Sequence, residues 1–119
     1  MTDGDADLGD VTDLSLAEVL TAASDGIAGV LRRDDDGGSV WLLGDAPFAA
    51  VHGPRAEFRL DPLVAGAALR TPETAPSPRG PDWVTFEPAV LDVAAVDRAE
   101  AWFLSAARRA SGGGGSRNR

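Results

Sequence analysis

The chain has no cysteine, no lysine, no tyrosine and no glutamine, and it has a single histidine, His52. Without cysteine there can be no disulfide, no thiolate nucleophile and no cysteine-ligated metal. One histidine per chain excludes a histidine-rich metal site. No stretch approaches 18 uninterrupted apolar residues, so no segment reads as membrane-spanning. The start of the sequence has neither the basic residues nor the apolar run of a secretory signal, and the cytoplasm is the expected location.

What is present is acidic. All 11 basic residues are arginine, against 19 acidic residues, for a formal net charge of -8 over 119 residues. A surface this negative repels nucleic-acid phosphates and anionic lipid, which argues against a nucleic-acid or membrane partner. Arginine without lysine, together with abundant alanine, glycine and aspartate, fits the codon bias of a high-GC genome. It also fits adaptation to a salt-rich cytoplasm, where a carboxylate surface keeps a protein hydrated. The length suits one domain, which at this size buries roughly 65% of its unfolded surface.

Residues 1–13 are polar, acidic and without period, and read as a disordered arm. A domain over 14–110 follows. Ser15 and Glu18 form a capping box, with Leu14 and Val19 placed as a hydrophobic staple. Leu16, Val19, Leu20 and Ala23 give the helix one apolar stripe, and Gly26 stops it. Ile27 to Leu31 alternate weakly as a strand, and Arg32–Gly38 reads as a turn by composition. Short apolar runs follow at Val40–Leu43 and Phe48–Val51, each closed by a glycine-containing pair. Ala56, Phe58 and Leu60 alternate with Arg55, Glu57 and Arg59, a strand with one buried and one charged face. Asp61 and Pro62 open a second helix with Leu63, Val64, Ala67 and Ala68 on its apolar side. Residues 72–82 carry four prolines and read as an extended linker. Trp83–Phe86 is a last strand. Asp92 caps a final helix whose stripe is Val93, Val96, Ala99, Phe103, Ala106 and Ala107. Residues 111–119 read as a flexible glycine-rich tail. The expectation is an α+β fold: an antiparallel sheet of four to five strands, helices on one face and the other partly open.

The words VHG at 51–53, AEFRLDP at 56–62, SPRGPDWVTFEP at 77–88 and the closing helix from Asp92 resemble the luciferase-domain family in layout. They are also similar to the MmcQ/YjbR-like family. Either resemblance covers about half of the chain and implies a small cytosolic α+β domain, in the second case with a CyaY-like fold. Some members of the second family carry a DNA-binding label, but the basic residues this would need are missing here. Neither resemblance supplies catalytic residues to map.

No catalytic residue is assigned from the sequence, and no cofactor or metal. His52, at a strand end before Gly53-Pro54, is either a titrating ligand contact or a turn histidine. The proline-rich word Pro76–Trp83 is either a recognition loop or a stiff crossover. In the first case Arg79 presents its planar fork and Trp83 a stacking surface. In the second, Arg79 is solvated or paired with an aspartate and Trp83 lies in the core. With Arg55 and Arg59 as further positive spots, His52, Arg55, Arg59, Arg79 and Trp83 form the candidate surface. The functional expectation is a small accessory or interaction domain with an unknown protein partner. The alternative is a binding domain or enzyme for a small anionic molecule.

Overall fold

The computed structural model describes residues 15–35 and 37–116, so the acidic arm and the staple residue Leu14 lie outside the described residues. Helix α1 spans Leu16–Ser24 and begins at the capping box read from the sequence. Ser15 Oγ accepts from the Glu18 amide at 3.1 Å, and Glu18 Oε1 accepts from the Ser15 amide at 2.9 Å. Six strands follow: β1 (Val30–Asp35), β2 (Gly38–Leu43), β3 (Ala46–His52), β4 (Arg55–Arg59), β5 (Thr74–Pro76) and β6 (Trp83–Phe86). Helix α2 (Pro62–Ala68) lies between β4 and β5, and α3 (Val93–Ser116) closes the chain.

The fold is α+β. The strands form one antiparallel sheet in the order β1-β2-β3-β4-β6-β5. The first four make a meander, as short connections favour. The last two do not continue it, because β6 sits between β4 and the earlier strand β5.

Three sequence expectations shift. Arg32–Asp35 belong to β1 rather than to a turn; the strand begins at Val30, and its charges are tolerated because β1 is an exposed edge. Part of the proline-rich stretch is strand β5, which raises the count to six. It too is an edge, where proline need not donate to a neighbour. Helix α3 runs to Ser116, taking in glycines read as tail. Extending an existing helix requires no new nucleus, so weak helix formers can be carried along at its end.

The core lies between the sheet and the helices. Leu16, Val19 and Leu20 of α1, Ala99, Phe103 and Ala106 of α3, and Trp41, Phe58, Val84 and Phe86 of the sheet are all buried in it. The adjacent pair Trp102 and Phe103 divides the sheet between them. Phe103 meets Trp41 and Phe48 edge-on, with ring centroids 5.5 and 5.2 Å apart. Trp102 meets Phe86 edge-on at 5.0 Å and packs against Phe58 at 6.1 Å. Edge-to-face pairs at such spacing add to what burial alone gives. A register shift beside Trp41 and Leu42 lets Phe48 join this cluster next to Ala49.

Two helix faces differ from the expected stripes. Val93 is exposed and Val96 only partly buried, while Ala95 and Ala99 face the core. In α2 it is Ala65 and Ala68 that pack inward, leaving Leu63 in solvent. With so little apolar bulk, the short helix turns its small residues to the sheet.

Candidate functional site

Among the described residues, no helix packs on the second face of the sheet. Strand alternation places Asp35, Val40, Ala50, His52, Arg55, Glu57, Arg59 and Trp83 on it, opposite the core residues of each strand. The segment 77–82 folds over part of this face. Its ends are fixed by main-chain bonds from Ser77 N to Trp83 O (3.0 Å) and from Leu60 N to Asp82 O (2.9 Å). The Asp82 carboxylate holds it from below, accepting from Arg109 at 3.1 Å. Arg109 in turn donates to the Leu60 carbonyl at 3.0 Å, tying α3 to both β4 and the loop.

Under this loop lies Glu57, a carboxylate only 6% exposed. Its two oxygens are divided between two partners. Ser77 Oγ donates to Oε2 at 2.6 Å, and Arg79 Nε donates to Oε1 at 2.7 Å. Ser77 Oγ also accepts from the Arg79 amide at 3.1 Å. Burial pushes the Glu57 carboxyl up, but the bonds from Arg79 and Ser77 and the charges of Arg79 and Arg55 more than offset it. The net direction is down, and Glu57 is held as its anion. The Arg79 guanidinium also lies over the ring of Trp83, 5.4 Å from its centroid. Among the described residues, its two terminal nitrogens donate to no other group.

Two adjoining depressions meet at His52 and Arg79. One, of about 320 Å³, is bordered by His52, Arg55, Glu57, Pro78 and Arg79. The other, of about 480 Å³, runs from Arg79 and His52 across Val40 and Gly38 to Asp35. The floor of the second exists because of glycine. A Cβ on Gly38 would stand 2.4 Å from the Val51 carbonyl oxygen and 3.2 Å from His52 Cδ2. A Cβ on Gly37, whose φ is +81°, would stand 3.2 Å from His52 Nε2. The imidazole therefore rests across the two glycines of the β1–β2 hairpin.

The five residues singled out in the sequence separate as follows. His52 and Arg55 are register partners across the β3–β4 hairpin and both border the groove. Arg55 is also within 3.4 Å of Glu87. Arg79 is central: it is paired with the Glu57 carboxylate, its side chain is 39% exposed, and it borders both depressions. Trp83, 9% exposed, lies beneath Arg79 rather than in the helix-facing core. Arg59 stands apart from both depressions, opposite Trp83 and 4.0 Å from Asp82. Glu57 and Gly38 were not singled out in the sequence. Glu57 reads as one more charge on an exposed strand face, and nothing local announces the loop that buries it.

No family model matches this chain, and neither a characterised protein nor a solved structure is significantly similar to it.

Proposed function

We propose that this protein is a small binding domain whose groove takes an anionic group, a carboxylate or phosphate, at Arg79. The observation that carries this reading is the state of that guanidinium. It is clamped through Nε by Glu57 and stacked on Trp83, its terminal amino groups donate to no other described residue, and the side chain borders an open groove together with His52 and Arg55. A fork already immobilised by its own chain loses little further freedom on binding. On a chain of net charge -8, two arginines, Arg55 and Arg79, border this groove, each also paired with a glutamate.

Binding is favoured over catalysis by the state of the hydroxyls at the groove. Ser77 donates to Glu57, a carboxylate stabilised as its anion and hence a weak base, and its own oxygen is engaged by the Arg79 amide. Ser39 donates to Asp34 at 2.7 Å. Neither is placed beside His52 by a hydrogen bond. The ligand is either a small molecule or the acidic side chain of a partner, and kinship with the luciferase-domain or MmcQ/YjbR-like proteins forms part of the same proposal.

The test is a titration of the whole chain with inorganic phosphate and with acetate, followed by amide and arginine side-chain NMR. Saturable shifts confined to His52, Arg55, Arg79 and the indole of Trp83 are expected. Shifts spread over all arginines, or none in the groove, would refute the assignment.

A further inference from the structure

One row of the sheet runs straight through the groove. Asp35 pairs with Gly38, Gly38 with His52, and His52 with Arg55. Read across the strands, the row presents a carboxylate, a gap, an imidazole and a guanidinium, with Arg79 beside its positive end. The gap is Gly38, the residue that admits no side chain there. At about 4.8 Å per strand, Asp35 and His52 are about 10 Å apart along the backbone. The Asp35 side chain is exposed, and among the described residues it forms no ion pair. Its neighbour Asp34, by contrast, is engaged by Arg32 at 2.9 Å and by Ser39 at 2.7 Å.

From this juxtaposition we infer that the groove selects zwitterions, and among them those whose cationic and anionic groups stand several bonds apart. The inference rests on the anion-binding reading above and deepens it. The anionic group lies on Arg79 and the chain of the ligand crosses Gly38 and Val40. A terminal ammonium or guanidinium then reaches Asp35. An α-amino acid with an uncharged side chain has its two charges too close together to engage both ends. An ω-amino acid, or a basic amino acid with a free carboxylate, spans them. The rest of the acidic surface rewards the cationic end at any approach, but among the described residues Asp35 is the carboxylate that borders the second depression.

The experiment compares hexanoate with 6-aminohexanoate on the full chain by NMR titration, in the native protein and in Asp35→Asn. The expected result is about two- to fivefold tighter binding of 6-aminohexanoate than of hexanoate, the range of an exposed ion pair. The preference should disappear in Asp35→Asn while hexanoate affinity is unchanged, which also shows that the variant is folded. If hexanoate binds and 6-aminohexanoate binds no tighter, or the preference survives in Asp35→Asn, the zwitterion inference is overturned and the anion site stands. If neither hexanoate nor phosphate binds in the groove, the anion site itself is overturned, and this inference with it.

Discussion

Arg79 Nε donates to Glu57 Oε1 at 2.7 Å from a residue 22 positions away in sequence, across the face of the sheet that carries no helix. One side of the guanidinium is spent on holding a loop down, and the other is left for solvent or ligand. One side chain thus holds the loop and borders the groove, and variants at the pair separate its structural role from the proposed binding one.

Glu57→Gln keeps the shape of the side chain and removes its charge. One acceptor oxygen becomes an amino donor, so the variant no longer offers a separate oxygen to each of Arg79 and Ser77, and a loss of about 2 kcal/mol is expected in urea denaturation. Arg79→Ala should lose at least as much, because it leaves a nearly buried carboxylate with only Ser77. Arg55→Ala, whose ion pair with Glu87 is about half exposed, should change stability by less than about 0.5 kcal/mol. Equal losses at Arg55 and Arg79 would contradict the clamp.

The same pair gives stability a pH dependence. The Glu57 carboxyl is lower in the folded protein than its ordinary value of 4.5. The folded state therefore binds fewer protons than the unfolded one in the window just below that value. The contribution is fully present above the ordinary value and is lost as pH falls through the depressed one. The difference in unfolding midpoint between the native protein and Glu57→Gln should be constant above about pH 5.5 and shrink on acidification. A difference that does not change down to pH 3 would show that Glu57 is not held as its anion.

Gly38→Ala tests the floor of the groove. Its new methyl would meet the Val51 carbonyl oxygen at 2.4 Å, and main chain cannot move aside as a side chain can. A destabilisation of about 1–3 kcal/mol is expected, together with displacement of the His52 ring resonances. A variant with native stability and unchanged His52 signals would mean that the hairpin has room the geometry does not show.

Phe103→Ala removes the ring that Trp41 and Phe48 both pack against, at a site with no exposure. A loss of about 3–5 kcal/mol in chemical denaturation is expected. A loss below 1 kcal/mol would mean that the cluster collapses around the gap.

What the sequence made legible divides by range. The capping box at Ser15 and Glu18 and the cap at Asp92 depend on residues three apart, and each appears as read, whereas β4 keeps its expected faces except that Glu57 is buried. Edges were harder. β1 and β5 are strands because a neighbour offers them a ladder, not because Arg32–Asp35 or Thr74–Pro76 favour extension. The same holds for the candidate site. His52, Arg55 and Arg79 stood out as rare or positive residues in an acidic chain. Glu57 and Ser77 acquire their role only through a contact 20 residues long in sequence, and Gly38 only through an imidazole at the far end of the next strand. The stripe of α3 was misplaced at Val93 because a helix with many alanines offers several faces of similar apolarity.

The position of β6 has a consequence for how the molecule comes into being. The meander β1–β4 can assemble from local contacts as it leaves the ribosome, but β4 then ends the sheet with an open edge. Only when Trp83–Phe86 emerge can they slot between β4 and the already synthesised β5. That step is a non-local closure, slower than forming a hairpin. It is also the step that swings the 77–82 segment over Glu57 and sets Arg79 on Trp83. The groove thus forms only once β6 has paired, and a nascent chain halted before Phe86 has neither a closed sheet nor the loop seated over Glu57.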